Sequence, residues 1–127
     1  MKLDYNLIKT ILLTMEEYPE HQIPSFELMR KINITDENKD TFIGHIKIMG
    51  DYNLIESSAK DGNYGFKYGL NRNLIQANCD YRMTANGYEF LDVLKNDTVF
   101  NKIKDFAISN AIDIGKQLLV NFASANF

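Results

Sequence analysis

The sequence contains a single cysteine, two histidines, two prolines and no tryptophan among its 127 residues. One cysteine, Cys79, cannot form an intrachain disulfide, and together with His21 and His45 it matches none of the ligand spacings of zinc sites. No apolar run approaches the roughly 20 residues of a membrane span, and charged residues interrupt the N-terminal segment where a signal peptide needs an apolar core. These absences predict a cytoplasmic protein in a reducing compartment, with no metal, no other cofactor and no membrane contact.

An excess of basic charge is also missing. The chain has 14 Lys and Arg against 17 Asp and Glu, so its formal net charge is -3. Tight, sequence-independent binding to nucleic acid depends on a strongly basic balance, and only a local basic patch remains open to this chain. No Ser, Cys, His or carboxylate pattern has the spacing of a catalytic dyad or triad. We therefore expect a protein that is not an enzyme.

What the chain does contain is regular hydrophobic periodicity. Hydrophobic residues make up 45% of the sequence and aromatic residues 12%, which suffices for one domain with a single core. Apolar residues recur at steps of three and four in residues 7–18, 26–32 and 42–50, and this spacing predicts three helices. Asp4 is expected to cap the first helix and Thr35 the third, because both side chains can accept backbone N–H groups at a helix start.

A strand-rich segment follows the third helix. Asn53 is expected to end that helix in the left-handed conformation, which asparagine tolerates. Residues 54–59 and 64–70 have the composition and alternation of strands, and the Lys60-Asp61-Gly62-Asn63 turn between them predicts a hairpin. A third strand is expected within residues 74–83, with a boundary near Asn78.

Two helices are predicted after the strands. Thr84 is expected to cap the fourth helix, which ends near Asn96, and a fifth helix is expected from about Thr98. The whole pattern predicts an α+β, mainly helical protein. It would be a winged helix (winged helix-turn-helix) with a β-hairpin wing in residues 1–97, and an extra C-terminal helix in residues 98–127 that packs on the domain or on a dimer partner. The inward positions of the fourth helix are expected to be Tyr88, Phe90, Leu91, Val93 and Leu94.

Three stretches, residues 1–12, 44–55 and 83–104, occur in the order seen in one known family. The most specific piece is Gly87-Tyr88-Glu89-Phe90-Leu91-Asp92, followed by Asn96-Asp97-Thr98-Val99-Phe100-Asn101-Lys102. In these stretches the chain resembles an uncharacterised domain-of-unknown-function family of bacterial phages and prophages. The resemblance implies a winged-helix-like fold and a mobile-element origin, and it brings no catalytic residues. The chain departs from the family at Asn53, where Gly is common, and at Phe100, where Trp is common.

The face of the third helix opposite the core is the first candidate site. In a winged helix that reads DNA, this face enters the major groove through basic and amide side chains. Here it carries the carboxylates of Glu37, Asp40 and Asp51, which phosphates would repel. A protein-binding site fits the uncharged strip between them better, and a merely solvated face is the alternative. The strip consists of Thr41, Gly44, Ile48 and Tyr52.

The predicted wing is the second candidate site. Residues 57–83 hold four basic and two acidic side chains, a local charge of +2, which makes this region the one to test for DNA or other nucleic acid. The wing aromatics could stack on bases, or they could simply pack on the domain. The candidate phosphate contacts are Lys60, Lys67, Arg72 and Arg82.

The third candidate is the terminal helix, whose apolar residues extend around more than one face. One face can cover the domain, and a second face would then suit a symmetric homodimer. A single helix folded back over its own core is the alternative. The residues expected to carry the dimer contact are Ile108, Ile112, Leu119 and Phe122.

Two functions are therefore carried forward. The first is a non-enzymatic phage-type binding module that acts through protein-protein contacts with a partner that the sequence does not name. The second is a dimeric winged-helix transcriptional regulator whose wing contacts DNA phosphates. Salt separates them, because phosphate contacts weaken steeply as salt rises and an apolar protein interface does not.

Overall fold

A computed structural model describes residues 1–125 of the chain as an α+β fold that is mainly helical. Over this range the chain forms six α-helices and five short strands. In chain order these are α1 (Tyr5–Glu17), β1 (Gln22–Pro24), α2 (Ser25–Lys31), α3 (Lys39–Asp51), β2 (Ile55–Ser57), β3 (Phe66–Tyr68), β4 (Leu74–Gln76), β5 (Asp80–Met83), α4 (Ala85–Lys95), α5 (Asp97–Ile103) and α6 (Ile108–Ala125).

The strands form two small antiparallel sheets. In the first sheet β5 lies between β1 and β2, with Ile23 opposite Tyr81 and Ile55 opposite Met83. The second sheet is the β3–β4 hairpin, in which Lys67 lies opposite Ile75. Strand β1 is missing from the sequence prediction, because a three-residue segment that ends in proline is too short to show alternation.

The core lies where α1, α3 and α4 meet the three-stranded sheet. Helix α1 contacts both other helices and β5, and α3 contacts β2. The rings of Tyr5 and Phe90 meet edge to face with centroids 6.4 Å apart, an arrangement that aromatic pairs prefer. Burial of this apolar surface is the main driving force for folding. The fully buried side chains include Ile8, Ile11, Leu12, Leu28, Phe42, Ile46, Met49, Leu54, Tyr81, Phe90 and Leu91.

Three predicted helix ends are confirmed. The Asp4 carboxylate accepts the N–H groups of Asn6 and Leu7 at 2.9 and 3.3 Å, and the Thr84 hydroxyl accepts the N–H of Gly87 at 3.0 Å. Asn53 has a φ of 58°, and the following residue donates its N–H to the Met49 carbonyl at 2.9 Å. This pairing is the usual closure of a helix that ends in the left-handed region.

The predicted start of α3 is wrong by one turn. The helix begins at Lys39 after Asn38, and the Asn38 side chain turns back to accept the Thr35 N–H at 2.7 Å. Thr35 therefore belongs to a local turn before the helix. Asp36 lies in the same turn and forms an ion pair with Lys39 at 3.0 Å.

The predicted hairpin of residues 54–70 is also wrong. Strand β2 pairs with β5, and β3 pairs with β4. The chain turns away between β2 and β3, since Gly62, Tyr64 and Gly65 all have positive φ. The third predicted strand is split into β4 and β5 around residues 77–79, close to the boundary expected at Asn78.

The single terminal helix is divided into α5 and α6. The chain leaves the helical path at residues 104–107, where the carbonyl of Phe106 accepts the Tyr5 hydroxyl at 2.7 Å. Both helices pack on α4 and on each other.

Within α4, Phe90, Leu91, Val93 and Leu94 are buried as expected, but Tyr88 is 49% exposed. In the described part of the chain no helix is both long and apolar enough to cross a membrane.

Candidate interaction surface

The predicted strip on α3 exists as one continuous face. Thr41, Gly44, Ile48 and Tyr52 follow each other at steps of three and four residues, which places them on one side of the helix. Thr41 is exposed, Gly44 and Ile48 are half-buried, and Tyr52 is 38% exposed. The opposite side of α3 is buried. The strip is therefore partly accessible along α3, beside the exposed carboxylates of Asp40 and Asp51.

The N-terminal segment covers part of this strip. A Cβ atom built on Gly44 would lie 2.4 Å from the Met1 sulfur, so the Met1 side chain rests directly on the helix there. Met1 itself is largely exposed. It therefore adds a flexible, polarizable apolar side chain to the strip, the kind of group that adapts to different binding partners. No pattern in the sequence predicts this contact, because Met1 and Gly44 belong to separate segments.

A buried histidine holds the N-terminal segment against α3. His45 is fully buried, its Nε2 accepts the backbone N–H of Asp4 at 2.8 Å, and its Nδ1 lies 2.7 Å from the Thr41 carbonyl. Because Nε2 accepts a hydrogen bond, the proton of the neutral ring is on Nδ1 and is donated to Thr41. His45 is thus a structural residue that fixes the start of α1 beside the strip.

Replacing His45 with phenylalanine is expected to lower the free energy of unfolding by about 1–3 kcal/mol, because the Asp4 N–H loses its acceptor in a poorly hydrated position. Urea unfolding followed by circular dichroism measures this change. The matched control is His21→Phe, since His21 is exposed and should tolerate the same substitution. Equal midpoints for the two variants would show that the His45 contact does not stabilise the fold.

The hairpin side of the strip carries carboxylates and tyrosines. The Tyr68 hydroxyl donates to the Asp40 carboxylate at 3.2 Å, and partial desolvation together with this hydrogen bond raises the pKa of Tyr68. Tyr64 lies over the end of α3, where a Cβ on Gly50 would clash with its ring. Burial, and then the charge of Asp51, raises the pKa of Tyr64. Both phenols therefore stay neutral beside the acidic flank.

The C-terminal end of the strip, at Tyr52, is joined to the beginning of α4. The Tyr52 carbonyl accepts the Asn86 side-chain amide at 3.1 Å. Tyr5 is buried, and desolvation with a smaller contribution from Tyr52 raises the pKa of Tyr5 to about 12. Its protonated hydroxyl therefore remains a donor to the backbone carbonyl of Phe106, an exposed aromatic residue that no sequence pattern assigns to a surface.

The four basic residues of the predicted wing do not form one patch. Lys60 and Arg82 line a small cleft together with Glu56 and Asp80. Arg82 forms an ion pair with Glu56 at 2.7 Å, and that hydrogen bond and charge lower the pKa of the Glu56 carboxyl. This cleft therefore has no net positive charge.

The other two basic residues lie on the β3–β4 hairpin. Lys67 is in β3, and its charge contributes, after the hydrogen bonds from Asn63, to the lowered pKa of Asp61. Arg72 is in the turn of residues 70–72 with a φ of 60°. Of the four predicted phosphate contacts, the structure thus brings only Lys60 and Arg82 together, and it places acidic side chains beside them.

The predicted dimer residues are divided between the core and the surface. Ile108 and Ile112 are buried within the chain's own core, so they are not available to a partner. Leu119 is half-buried against the same core, and Phe122 is exposed near the end of α6. The large apolar side chains that residues 108–124 of α6 leave exposed are Ile114, Val120 and Phe122.

Comparison with known proteins finds a match at the level of the family. Neither the curated proteins nor the solved structures contain a match to this chain. The sequence model of a family described as "Hypothetical protein (DUF2513)" matches residues 2–113. This range holds α1 to α5 and the beginning of α6, and so includes the strip on α3. The chain therefore belongs to the DUF2513 family of hypothetical proteins.

Proposed function

We propose that this chain is a non-enzymatic binding module of the winged-helix type, of phage or prophage origin, that acts through protein contacts made by the exposed face of α3. The phage origin rests on the resemblance of residues 83–104 to proteins of such elements. The observation that carries the function is the uncharged strip of Thr41, Gly44, Ile48 and Tyr52, which the fold leaves partly exposed along α3.

The order of the elements supports the winged-helix type. Helices α2 and α3 follow each other through the short connection of residues 32–38, as in a helix-turn-helix. The order α1, β1, α2, α3, β2, β5, with β5 at the centre of the sheet, is the order of helices and strands in a winged helix. Residues 58–79, including the β3–β4 hairpin, then take the position of the wing.

The charges favour protein over DNA as the partner. A DNA-reading helix presents basic and amide groups to the groove, whereas the exposed face of α3 presents Asp40 and Asp51 on its hairpin side. Phosphate oxygens near these carboxylates would be repelled. An uncharged centre with a polar rim is instead the usual anatomy of a protein interface. Met1 and Tyr52 provide the large side chains that such interfaces favour.

Photo-crosslinking tests this proposal with a matched pair of tyrosines. Tyr52 and Tyr88 are 38% and 49% exposed, but only Tyr52 lies on the strip. With benzoylphenylalanine at each position in turn, we expect a specific protein adduct in a lysate of the source bacterium only from position 52. Excess wild-type protein should compete with this adduct, and an Ile48→Lys variant should not. Equal crosslinking from position 88 would contradict the proposal.

The regulator alternative is tested with a DNA duplex of mixed sequence, about 30 base pairs long, at about 50 and 200 mM salt. Under our proposal the anisotropy of the labelled duplex does not change with protein concentration. If binding occurs, falls steeply with salt and disappears in the Lys67→Glu and Arg72→Glu variants, the protein is a DNA-binding regulator instead. In that case the strip on α3 is not its main site.

A further inference from the structure

The outer edge of β4 has backbone groups without hydrogen-bond partners. Ile75 pairs with β3 in the ladder, and the Ala77 N–H donates to the Gly65 carbonyl at 2.8 Å. Because the pairs of an antiparallel ladder alternate, the N–H and C=O groups of Leu74 and Gln76 point away from β3. Within the described part of the chain, no hydrogen bond uses these four groups.

This edge carries none of the usual protection against another strand. Ile75 and Gln76 are exposed, and residues 73–78 contain no charge and no proline. Proteins commonly protect an open edge with charged side chains, proline or a bulge. The edge of β4 therefore remains open to a further strand.

The other strands offer less. Strand β1 ends in Pro24, which has no N–H group. Ile55 in β2 is buried, so its backbone is closed to another strand. The Phe66 N–H in β3 already donates to the Asn63 carbonyl at 2.9 Å. Among the described strands, β4 thus has the most accessible edge.

A groove lies between β4 and α2. Its volume is about 500 Å³, within the range of sites that hold a ligand. Phe26 is 45% exposed, and Met29 is buried at the base of the groove. The α2–β4 groove is therefore largely apolar. Its lining residues are Phe26, Met29, Arg30, Ile34 and Gln76.

Arg30 is the charged residue among those that line the α2–β4 groove. Its Nε and Nη2 atoms donate to the Glu27 carboxylate at 3.1 and 2.6 Å, and its side chain is 68% exposed. A guanidinium group has five N–H donors, so Arg30 can bind a second carboxylate while it keeps its contact with Glu27. A carboxylate is the acceptor that suits such a group best.

We propose that an extended segment of a partner protein adds to the outer edge of β4 as a further strand. Its backbone pairs with Leu74 and Gln76, and one apolar side chain packs on Phe26 and Met29. Side chains two residues apart lie on the same face of a strand, so an acidic side chain two residues away reaches Arg30. In this kind of recognition the main chain supplies affinity and alternate side chains supply specificity. The proposal does not depend on the strip on α3.

Selection from a displayed library tests the proposal on the full chain, with random peptides about ten residues long, the upper length of ordinary strands. The enriched peptides are expected to share an apolar residue and an Asp or Glu two positions apart. Because the edge offers few hydrogen bonds, we expect a dissociation constant on the order of 10–100 μM. Fluorescence anisotropy of the labelled peptide measures it.

Two substitutions at one position separate backbone pairing from side-chain contact. Gln76→Pro removes an N–H group that the β3–β4 ladder does not use, so the hairpin should tolerate it. It is expected to raise the dissociation constant about tenfold or more. Gln76→Thr keeps the N–H group and should bind the peptide like the wild type. Circular dichroism confirms that both variants are folded.

Two further variants test the side chains and the location. Arg30→Gln should remove the preference for a peptide with Glu over the same peptide with Gln, because the guanidinium is lost. Ile48→Lys, on the strip of α3, should leave peptide binding unchanged. A peptide that loses binding in Ile48→Lys and keeps it in Gln76→Pro would bind the strip and would contradict the edge site.

Three other results would overturn the proposal. The first is a selection that enriches no peptide over an empty surface. The second is equal loss of binding in Gln76→Pro and Gln76→Thr, which would mean that the contact is made by the side chain. The third is a wild-type dimer in sedimentation equilibrium that Gln76→Pro converts to a monomer, since the edge would then belong to a second copy of the chain.

Discussion

Replacing Gly87 with alanine is expected to lower the free energy of unfolding by about 3 kcal/mol or more, the upper range for overpacking a rigid site. The added Cβ would lie 2.1 Å from the backbone carbonyl oxygen of Leu54. That atom cannot rotate away, because the same carbonyl accepts the Thr84 N–H at 3.1 Å. The start of α4 or the turn after α3 would therefore have to move as a whole.

Gly44→Ala is the matched control for this prediction. Both glycines lie inside helices, where alanine is intrinsically favoured over glycine by about 1 kcal/mol. At position 44 the new Cβ meets only the flexible Met1 side chain, which can rotate toward solvent. We expect Gly44→Ala to be neutral or slightly stabilising, and urea unfolding of the two variants measures the difference. Similar stabilities would show that α4 does not approach the Leu54 carbonyl this closely.

The Gly87 contact lies within the segment that resembles the family, and neighbouring hydrogen bonds strengthen the same junction. The Thr84 hydroxyl accepts the Gly87 N–H and donates to the Asn53 carbonyl. One threonine thus caps α4 and joins it to the end of α3. Asn53 supplies the left-handed residue that turns the chain toward this junction. The segment that carries the family resemblance therefore includes the backbone contacts that join α3 to α4.

Helix ends could be predicted from the sequence because their causes are local. The caps at Asp4 and Thr84 depend on groups within three residues, and the turn at Asn53 depends on its own backbone preference. The break between α5 and α6 has a distant cause, since the Phe106 carbonyl is bound by Tyr5, which lies 101 residues earlier in the chain. No local pattern contains that information.

Strand pairing was mispredicted for the same reason. The turn at residues 60–63 is real, but a turn signal does not specify which strand follows it in the sheet. Strand β2 pairs with β5, and Ser57 lies opposite Tyr81 across an intervening hairpin. The buried Tyr81 hydroxyl donates to the Tyr64 carbonyl, a contact that helps to hold the intervening segment in place. Buried side chains, more than the turn, therefore determine the pairing.

The candidate surfaces also differ in how far the sequence predicts them, because some depend on local spacing and others on contacts between distant segments. The strip on α3 was predictable, because helical periodicity alone places its residues on one face. The neutral cleft around Lys60 and Arg82 was not, since the Arg82–Glu56 ion pair joins two strands that the prediction had not paired. Met1 on Gly44 and Tyr68 on Asp40 are likewise contacts between segments distant in sequence.

Replacing Phe66 with alanine is expected to lower the free energy of unfolding by about 3–5 kcal/mol, the usual cost of removing a buried phenylalanine ring. Phe66 is fully buried in β3, and its ring meets that of Phe42 in α3 edge to face with centroids 6.2 Å apart. Few neighbouring atoms can fill the space, because Phe42 is itself fixed inside the core.

Tyr68→Ala is the control, because Tyr68 is in the same strand and is exposed. It loses only a solvent-exposed hydrogen bond to Asp40, so we expect a change of less than about 1 kcal/mol. Chemical unfolding gives the stabilities, and amide hydrogen exchange of residues 66–76 reports on the hairpin itself. In Phe66→Ala these amides should exchange faster than those of α1 and α4. Equal effects of the two substitutions would contradict the packing of the hairpin on α3.

The result for Phe66→Ala also tests whether the β3–β4 hairpin is a fixed part of the surface around the strip on α3. A wing that binds DNA phosphates benefits from backbone flexibility. A hairpin that is anchored by the buried Phe66 ring instead has a fixed position beside the acidic side of α3. Under the proposed protein-binding function, a fixed hairpin would hold Tyr68 and Asp40 in place before binding, which would reduce the entropy lost on binding. If Phe66→Ala loosens the hairpin and also weakens crosslinking from position 52, then the hairpin and the strip on α3 form one surface.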